Sequence, residues 1–317
     1  MNRMMQRLRR EFKGTSDAII GKIATTALNA LRLADPNKVA DFAGAFMRTI
    51  GPLLPENRIG RDNLAAAFPE KSKTEIDDIL RGCWDNLGRM GAEFAHLDRL
   101  WDFDPEQPSE GHRIETTRPV VLRFRQLLAD GKPALIFAAH LANWELPGVC
   151  AAFYKMDSAV LYRRPNIAGI DRWLAETRRV NMGQLISTDL YAPMKISEAL
   201  ERGAHVGMLV DQYYVRGVPV TFFGRRTMAN PLLARLARHF NCPIHGARMV
   251  RLANHRFRAE LSEAIEPVRD SEGKIDITGT TQVITSVIES WIREYPEQWL
   301  WMHRRWRTEK PTINGRS

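Results

Sequence analysis

The chain has 317 residues, 44% of them hydrophobic, which is enough to bury a sizeable core and excludes a disordered, highly charged chain. Lys and Arg outnumber Asp and Glu by 46 to 37, for a formal charge of +9, so an anionic partner is expected: a membrane surface, an acidic protein or nucleic acid. The three cysteines, Cys83, Cys150 and Cys242, are far apart and odd in number, which argues against a disulfide framework and for reduced thiols on the cytoplasmic side.

The first thirteen residues place Met1, Met4, Met5, Leu8 and Phe12 at helical spacing, with Arg3, Arg7, Arg9, Arg10 and Lys13 between them. Two readings stand: an amphipathic helix lying in a headgroup layer, or a solvated terminus. No secretory signal is visible. The apolar stretch that follows carries Lys22, and its longest charge-free run, Ile23 to Leu31, falls short of the ~20 residues a spanning helix needs. Residues up to about 100 read as helices. One begins at Asp35-Pro36, and another begins with a capping box from Ser72 to Glu75. A loop rich in Asp, Pro and Gly suggests a boundary near 110, dividing a helical membrane-docking region, 1–110, from a core, 111–317.

Beyond it the rhythm changes. Short apolar runs at 133–140, 157–164, 204–211, 243–252 and 255–264 read as strands. Helical stretches are predicted at 124–130, 168–182, 193–202, 231–240 and 280–293. This alternation predicts an α/β fold: a mixed, mostly parallel sheet flanked by helices, with a helical N-terminal region.

In such sheets the working groups gather at the carboxyl ends of strands. The first strand ends in "AAHLANWE", where His140 stands at a strand end, Asn143 is placed to cap the next helix, and Glu145 follows in its first turn. A corner of four residues allows Glu145 to fold back on the imidazole, holding one nitrogen and leaving the other free to take a proton. The plain alternative is a histidine satisfied by backbone. Arg163 and Arg164 end the second strand, where a guanidinium suits a phosphate, and Asp211 and Gln212 end the third. The segment 217–231 is either an acyl groove or ordinary core. "PEQWLWMHRRWR" interleaves Trp299, Trp301 and Trp306 with His303, Arg304, Arg305 and Arg307, a pattern suited to a membrane interface; no nucleic-acid motif supports a nucleic-acid patch. A serine nucleophile elbow, a Walker loop and a zinc motif are all missing, so no metal or cofactor is expected. A base without a protein nucleophile points to direct attack by a substrate hydroxyl on an activated acyl group.

At these residues the chain resembles the bacterial lipid A biosynthesis acyltransferases, the late lauroyl and myristoyl acyltransferase family. The likeness runs from "NRIGRDNLAAAFPE" and "WDNLGRMGAEF" through His140-x-x-Asn143-Trp144-Glu145, Arg164-Pro165-Asn166, Asp211-Gln212 with Val220-x-Phe222-Phe223-Gly224, to the Trp-rich end. This chain departs from it at Leu141-Ala142, where the family often has Phe-Gly. The resemblance implies a membrane-associated enzyme on the cytoplasmic face of the inner membrane; many members carry an N-terminal transmembrane helix, and as none is found in this sequence a peripheral or monotopic attachment to the anionic surface is expected. It would move a fatty acyl chain from acyl carrier protein to a hydroxyl of a hydroxyacyl chain on a lipid A precursor or related glycolipid. His140 would be the base and Glu145 its partner. Asn143, Arg164, Asp211, Gln212, Arg304 and Arg305 would bind substrate, the arginines through phosphate. The alternatives are acylation of another membrane lipid, or a non-catalytic basic membrane-binding protein.

Overall fold

The computed structural model describes residues 26, 29–106, 111–163 and 168–307, without the side chains of 168–172. The amphipathic segment 1–13 and Arg164 therefore lie outside the described residues.

Among the described residues, helical positions at 26 and 29–31 precede three helices, α1 (Pro36–Ile50), α2 (Pro55–Ala67) and α3 (Lys73–Glu93). Asp35 caps α1 by accepting from the backbone N–H groups of Asn37 and Lys38, each at 3.0 Å, with Pro36 in the first turn, where its missing N–H costs nothing. The capping box at α3 is present: Ser72 Oγ accepts from the Glu75 N–H at 3.3 Å, and Glu75 accepts from the Ser72 N–H at 2.8 Å. Helices α1 and α3 approach closely at Gly88, where an added Cβ would stand 2.2 Å from the Ala43 carbonyl oxygen.

The α/β part follows in the order β1 (Ile114–Glu115), α4 (Arg118–Ala129), β2 (Leu135–Ala138), α5 (Leu146–Phe153), β3 (Ser158–Tyr162), α6 (Ala168–Asn181), β4 (Gln184–Ser187), α7 (Ala192–Glu201) and β5 (His205–Leu209). A hairpin of β6 (Val218–Phe222) and β7 (Arg225–Ala229) precedes α8 (Leu232–Phe240), β8 (Ile244–Arg251), β9 (Phe257–Leu261) and α9 (Ile277–Glu294). Among the described residues the main sheet has seven strands in the order β1-β9-β8-β2-β5-β3-β4, all pairs parallel except β8 with β9. This is the mixed, mostly parallel α/β architecture that the alternation predicts. Two short strands, β1 and β4, escape the sequence pattern: β1 has only two residues, and β4 (QLIS) lacks the continuous apolar run of the equally short β2. Helix α4 begins six residues before the predicted 124, with Pro119 accommodated in its first turn.

Period-two alternation assigns the two faces of the sheet. Leu135, Phe137, Ala159, Val206 and Met208 pack with α7, α8, α9 and the α2–α3 pair in the main core. Ile136, Ala138, Ser158, Val160, His205, Gly207 and Leu209 face the other way, toward α5, and line a cavity of about 510 Å³. The Trp-rich end belongs to the core. Trp299 and Trp301 are buried, with ring centroids 4.6 Å apart, and Phe222 and Phe223 pack against them. The membrane-interface reading of these indoles is thus corrected: the shielded space between α9, the hairpin and α3 takes them in, where their apolar area is worth more than at a surface. For the same reason segment 217–231 supplies core aromatics, with only Asn230 reaching the cavity wall. Among the described residues no helix is long and apolar enough to cross a membrane.

Candidate active site

Strands β2 and β5 are parallel neighbours, with Ala138 opposite Leu209. Two residues past each lie His140 and Asp211, so the register sets imidazole and carboxylate side by side. His140 Nδ1 is 2.8 Å from Asp211 Oδ1, and the His140 backbone N–H donates to Asp211 Oδ2 at 3.0 Å. Trp299 Nε1–H donates to the same Oδ2 at 2.7 Å. Burial pushes the Asp211 carboxyl up, but the His140 ring, its two hydrogen bonds and the Trp299 indole outweigh that and hold the pKa at about 2. The carboxylate is therefore ionised at neutral pH and accepts from Nδ1–H. That assigns the lone pair of the imidazole to Nε2. The ring lines the cavity, with Trp144 edge-on to it at 5.0 Å between centroids. Gln212 Nε2 is 3.4 Å from His140 Nε2, a donor beside the lone pair.

The expected hydrogen bond between His140 and Glu145 is not formed. Glu145 begins α5 with its backbone already near helical, and its carboxylate turns to α6, where Arg178 Nε and Nη2 hold its two oxygens at 2.9 and 2.5 Å. Both side chains are largely buried and both line the cavity. The geometry thus gives His140 an aspartate partner and Glu145 an arginine partner. The Arg178 guanidinium also lies over the rings of Phe94 and Tyr162, 5.4 and 5.7 Å from their centroids. Arg178 was invisible to sequence reasoning, since one arginine on a charged helix has no distinguishing pattern. Asp211 left a signal in its position: it follows its strand end by the same count as His140, and only the unknown strand order hid their adjacency.

Asn143 does not reach the cavity. It is fully buried, donates through Nδ2 to Glu93 Oε2 at 2.9 Å, and accepts the Glu145 backbone N–H at 3.2 Å. It ties the corner internally. Glu93 is held in turn by both Nη groups of Arg251, with Arg251 Nε on Asn86 Oδ1 at 2.8 Å. Burial pushes the Glu93 carboxyl up, yet Arg251 and Asn143 override it and its pKa lies below the ordinary value. Next to Asn143, Ala142 takes a left-handed conformation, φ 47°, with its N–H on the Gln298 carbonyl at 2.9 Å. This is the position where the resemblance has Gly, and a glycine adopts that backbone without the penalty a Cβ incurs.

The two C-terminal arginines separate. Arg304 is exposed, whereas Arg305 is buried, donating through Nη1 to Thr227 Oγ1 and to the Met228 carbonyl, both at 2.9 Å, over the face of Phe222. Burial pulls its pKa down to about 10, still charged at neutrality. Arg305 pins the hairpin to the C-terminal segment through Nη1, and its burial sets it apart from the exposed Arg304. Arg163 is exposed and lines the cavity. Among the described residues no cluster of three His, Cys, Asp or Glu side chains is placed to hold a metal ion.

A comparison with curated proteins finds no match. The model of the bacterial lipid A biosynthesis acyltransferases matches residues 7–308, nearly the whole chain. On that match, with the α/β sheet and the cavity at His140 already described, the chain belongs to the bacterial lipid A biosynthesis acyltransferase family.

Proposed function

We propose that this lipid A biosynthesis acyltransferase takes a fatty acyl chain from an acyl-carrier-protein thioester and esterifies a hydroxyl on a hydroxyacyl chain of a lipid A precursor. The observation that carries the reading is the oriented imidazole, bonded to an ionised aspartate through Nδ1, at the wall of a cavity lined mainly by apolar side chains. His140 Nε2 takes the hydroxyl proton as the oxygen attacks the thioester carbonyl. The C–O bond forms, the tetrahedral intermediate collapses with loss of the C–S bond, and the proton passes from Nε2 to the departing thiolate. Asp211 keeps the tautomer and stabilises the imidazolium. The Gln212 amide stands beside Nε2, where it can donate to the oxyanion. Glu145 acts as a positioning residue through Arg178, whose guanidinium faces the acyl carbonyl or an anionic group of the acceptor.

The acyl chain runs down the cavity between the sheet and α5, past Ala138, Val160 and Gly207. The net charge of +9 suits both an acidic carrier protein and an anionic inner-membrane face. Mass spectrometry of products from purified enzyme, acyl carrier protein loaded with a saturated chain, and a lipid A precursor tests the reading. An acyloxyacyl product is expected. Transfer to lysophospholipid but not to the precursor would move the assignment to the other lipid class.

Attachment to the inner membrane from the cytoplasmic face, without a span, is part of the same reading. It is supported by exposed apolar side chains on the N-terminal helices: Phe42 at 73% and Phe46 at 50% exposed, one turn apart on α1, and Leu53 at 82% just beyond. Single exposed apolar residues are ordinary, but a stacked Phe pair next to a bare Leu is the composition of an interfacial patch. Replacing Phe42 and Phe46 together by Ser is expected to lower binding to anionic vesicles about tenfold or more, at high as well as low salt, because an apolar term is not screened. Kinetics on detergent-dispersed acceptor should stay near normal. Equal co-sedimentation of variant and wild type would remove this patch from the membrane face.

A further inference from the structure

Gly207 is a glycine in the middle of a central parallel strand, between Ile136 of β2 and Val160 of β3 in register. Glycine weakens a strand unless something needs the space its side chain would fill. Crowding is not the reason here: a Cβ built on Gly207 meets only the Ala159 carbonyl oxygen, at 4.0 Å. Alternation turns that missing Cβ toward the cavity, on the same side as His205 and Leu209, and the cavity wall includes all three. Opposite, α5 contributes the small residues Gly148 and Ala151. One row deeper are His205 and Ser158, paired across β5 and β3, both buried, with Met156 beside them in the cavity wall. Burial lowers the pKa of His205, so its ring is uncharged at neutral pH and compatible with a hydrocarbon end.

The spacing along the strand gives a scale. Asp211, beside the catalytic base, is four residues from Gly207 and six from His205, about 13 and 20 Å at roughly 3.3 Å per residue. A fully extended saturated chain advances about 1.3 Å per carbon, given C–C bonds of about 1.5 Å near the tetrahedral angle.

We propose that Gly207 is a chain-length determinant for the acyl donor: its missing side chain opens the passage to the His205–Ser158 floor, which admits saturated chains of about 12 to 15 carbons and stops longer ones. This rests on the donor chain occupying the cavity beneath His140. A side chain at 207 moves the stop up to the glycine row, at about the tenth carbon.

The test is kcat/KM of the full-length protein and of Gly207→Ala, Gly207→Val and Gly207→Leu with acyl carrier protein loaded with C8, C10, C12, C14 and C16 chains. The wild type is expected to prefer C12 or C14. The variants should lose the longer donors in order of side-chain size, with Gly207→Leu losing at least about tenfold on C14 relative to C10, since a misfit of a methylene or more is worth about 10–200-fold. An unchanged donor preference, or a uniform loss on all donors in the alanine variant as well as the leucine one, would overturn the role of Gly207. If the wild type transferred none of the five chains, the functional reading would fail instead.

Discussion

Asp211→Asn is expected to lower kcat by on the order of 10³–10⁴, close to the loss from His140→Ala, while the protein stays folded. The hydrogen bonds give the reason. Asp211 Oδ2 accepts twice, from the His140 backbone N–H and from Trp299 Nε1–H, whereas Oδ1 meets only Nδ1. An asparagine keeps its carbonyl oxygen where the two donors are, so its NH2 group faces Nδ1. The imidazole then moves its proton to Nε2 to accept that bond, and the nitrogen that must act as base no longer has a lone pair. The loss therefore falls on kcat, and combining it with His140→Ala should add little, because the two side chains act as one unit. Glu145→Gln keeps the shape of the corner and weakens only the pairing with Arg178, so its cost should be well below that of Asp211→Asn. Steady-state kinetics of the three variants separates the two arrangements. If Glu145→Gln is as damaging as His140→Ala and Asp211→Asn is nearly silent, Glu145 is the working partner of His140, and the Asp211 contact is structural.

The second large effect is on stability, at a residue outside the cavity lining. Glu93→Ala removes the carboxylate that holds Arg251 and Asn143 together. Arg251 is then left as a largely buried charge, which typically costs about 3–5 kcal/mol, and Asn143 loses the acceptor that fixes the corner after β2. For a chain of this size a drop in Tm on the order of 10 °C is expected. Replacing both Glu93 and Arg251 by Met should recover much of that loss, since an apolar pair of similar volume has no charge to strand. Thermal melts of the single and double variants provide the check. A Glu93→Ala protein melting within about 2 °C of wild type would show that the corner does not depend on this network. The double variant should still be slower than wild type, because Asn143 remains unpaired and the peptide beside His140 loses a support.

Local chemistry written in consecutive residues was legible from the sequence alone. The Ser72–Glu75 capping box, the Asp35-Pro36 helix start and the apolar runs of β2, β3, β5, β8 and β9 are each specified by neighbours in the chain, and so was the α/β class. His140 was identifiable for the same reason: a polar residue ending a buried run at a strand-to-helix corner stands out in one dimension. What surrounds it was decided by the tertiary structure. Asp211 is 71 residues away and became the partner of His140 because β2 and β5 pair in parallel register, while Glu145, five residues away, was drawn off by Arg178 of α6. Nearness in sequence counts for little there, since a helix start projects its side chains outward from the strand axis whereas adjacent parallel strands hold side chains roughly 5 Å apart. The Trp-rich end shows the same limit. Its composition suits either a headgroup layer or a core, and only the packing of α9, the β6–β7 hairpin and α3 around Trp299 and Trp301 selected the core. Composition states what a segment can bury; the fold decides what space is there to bury it in.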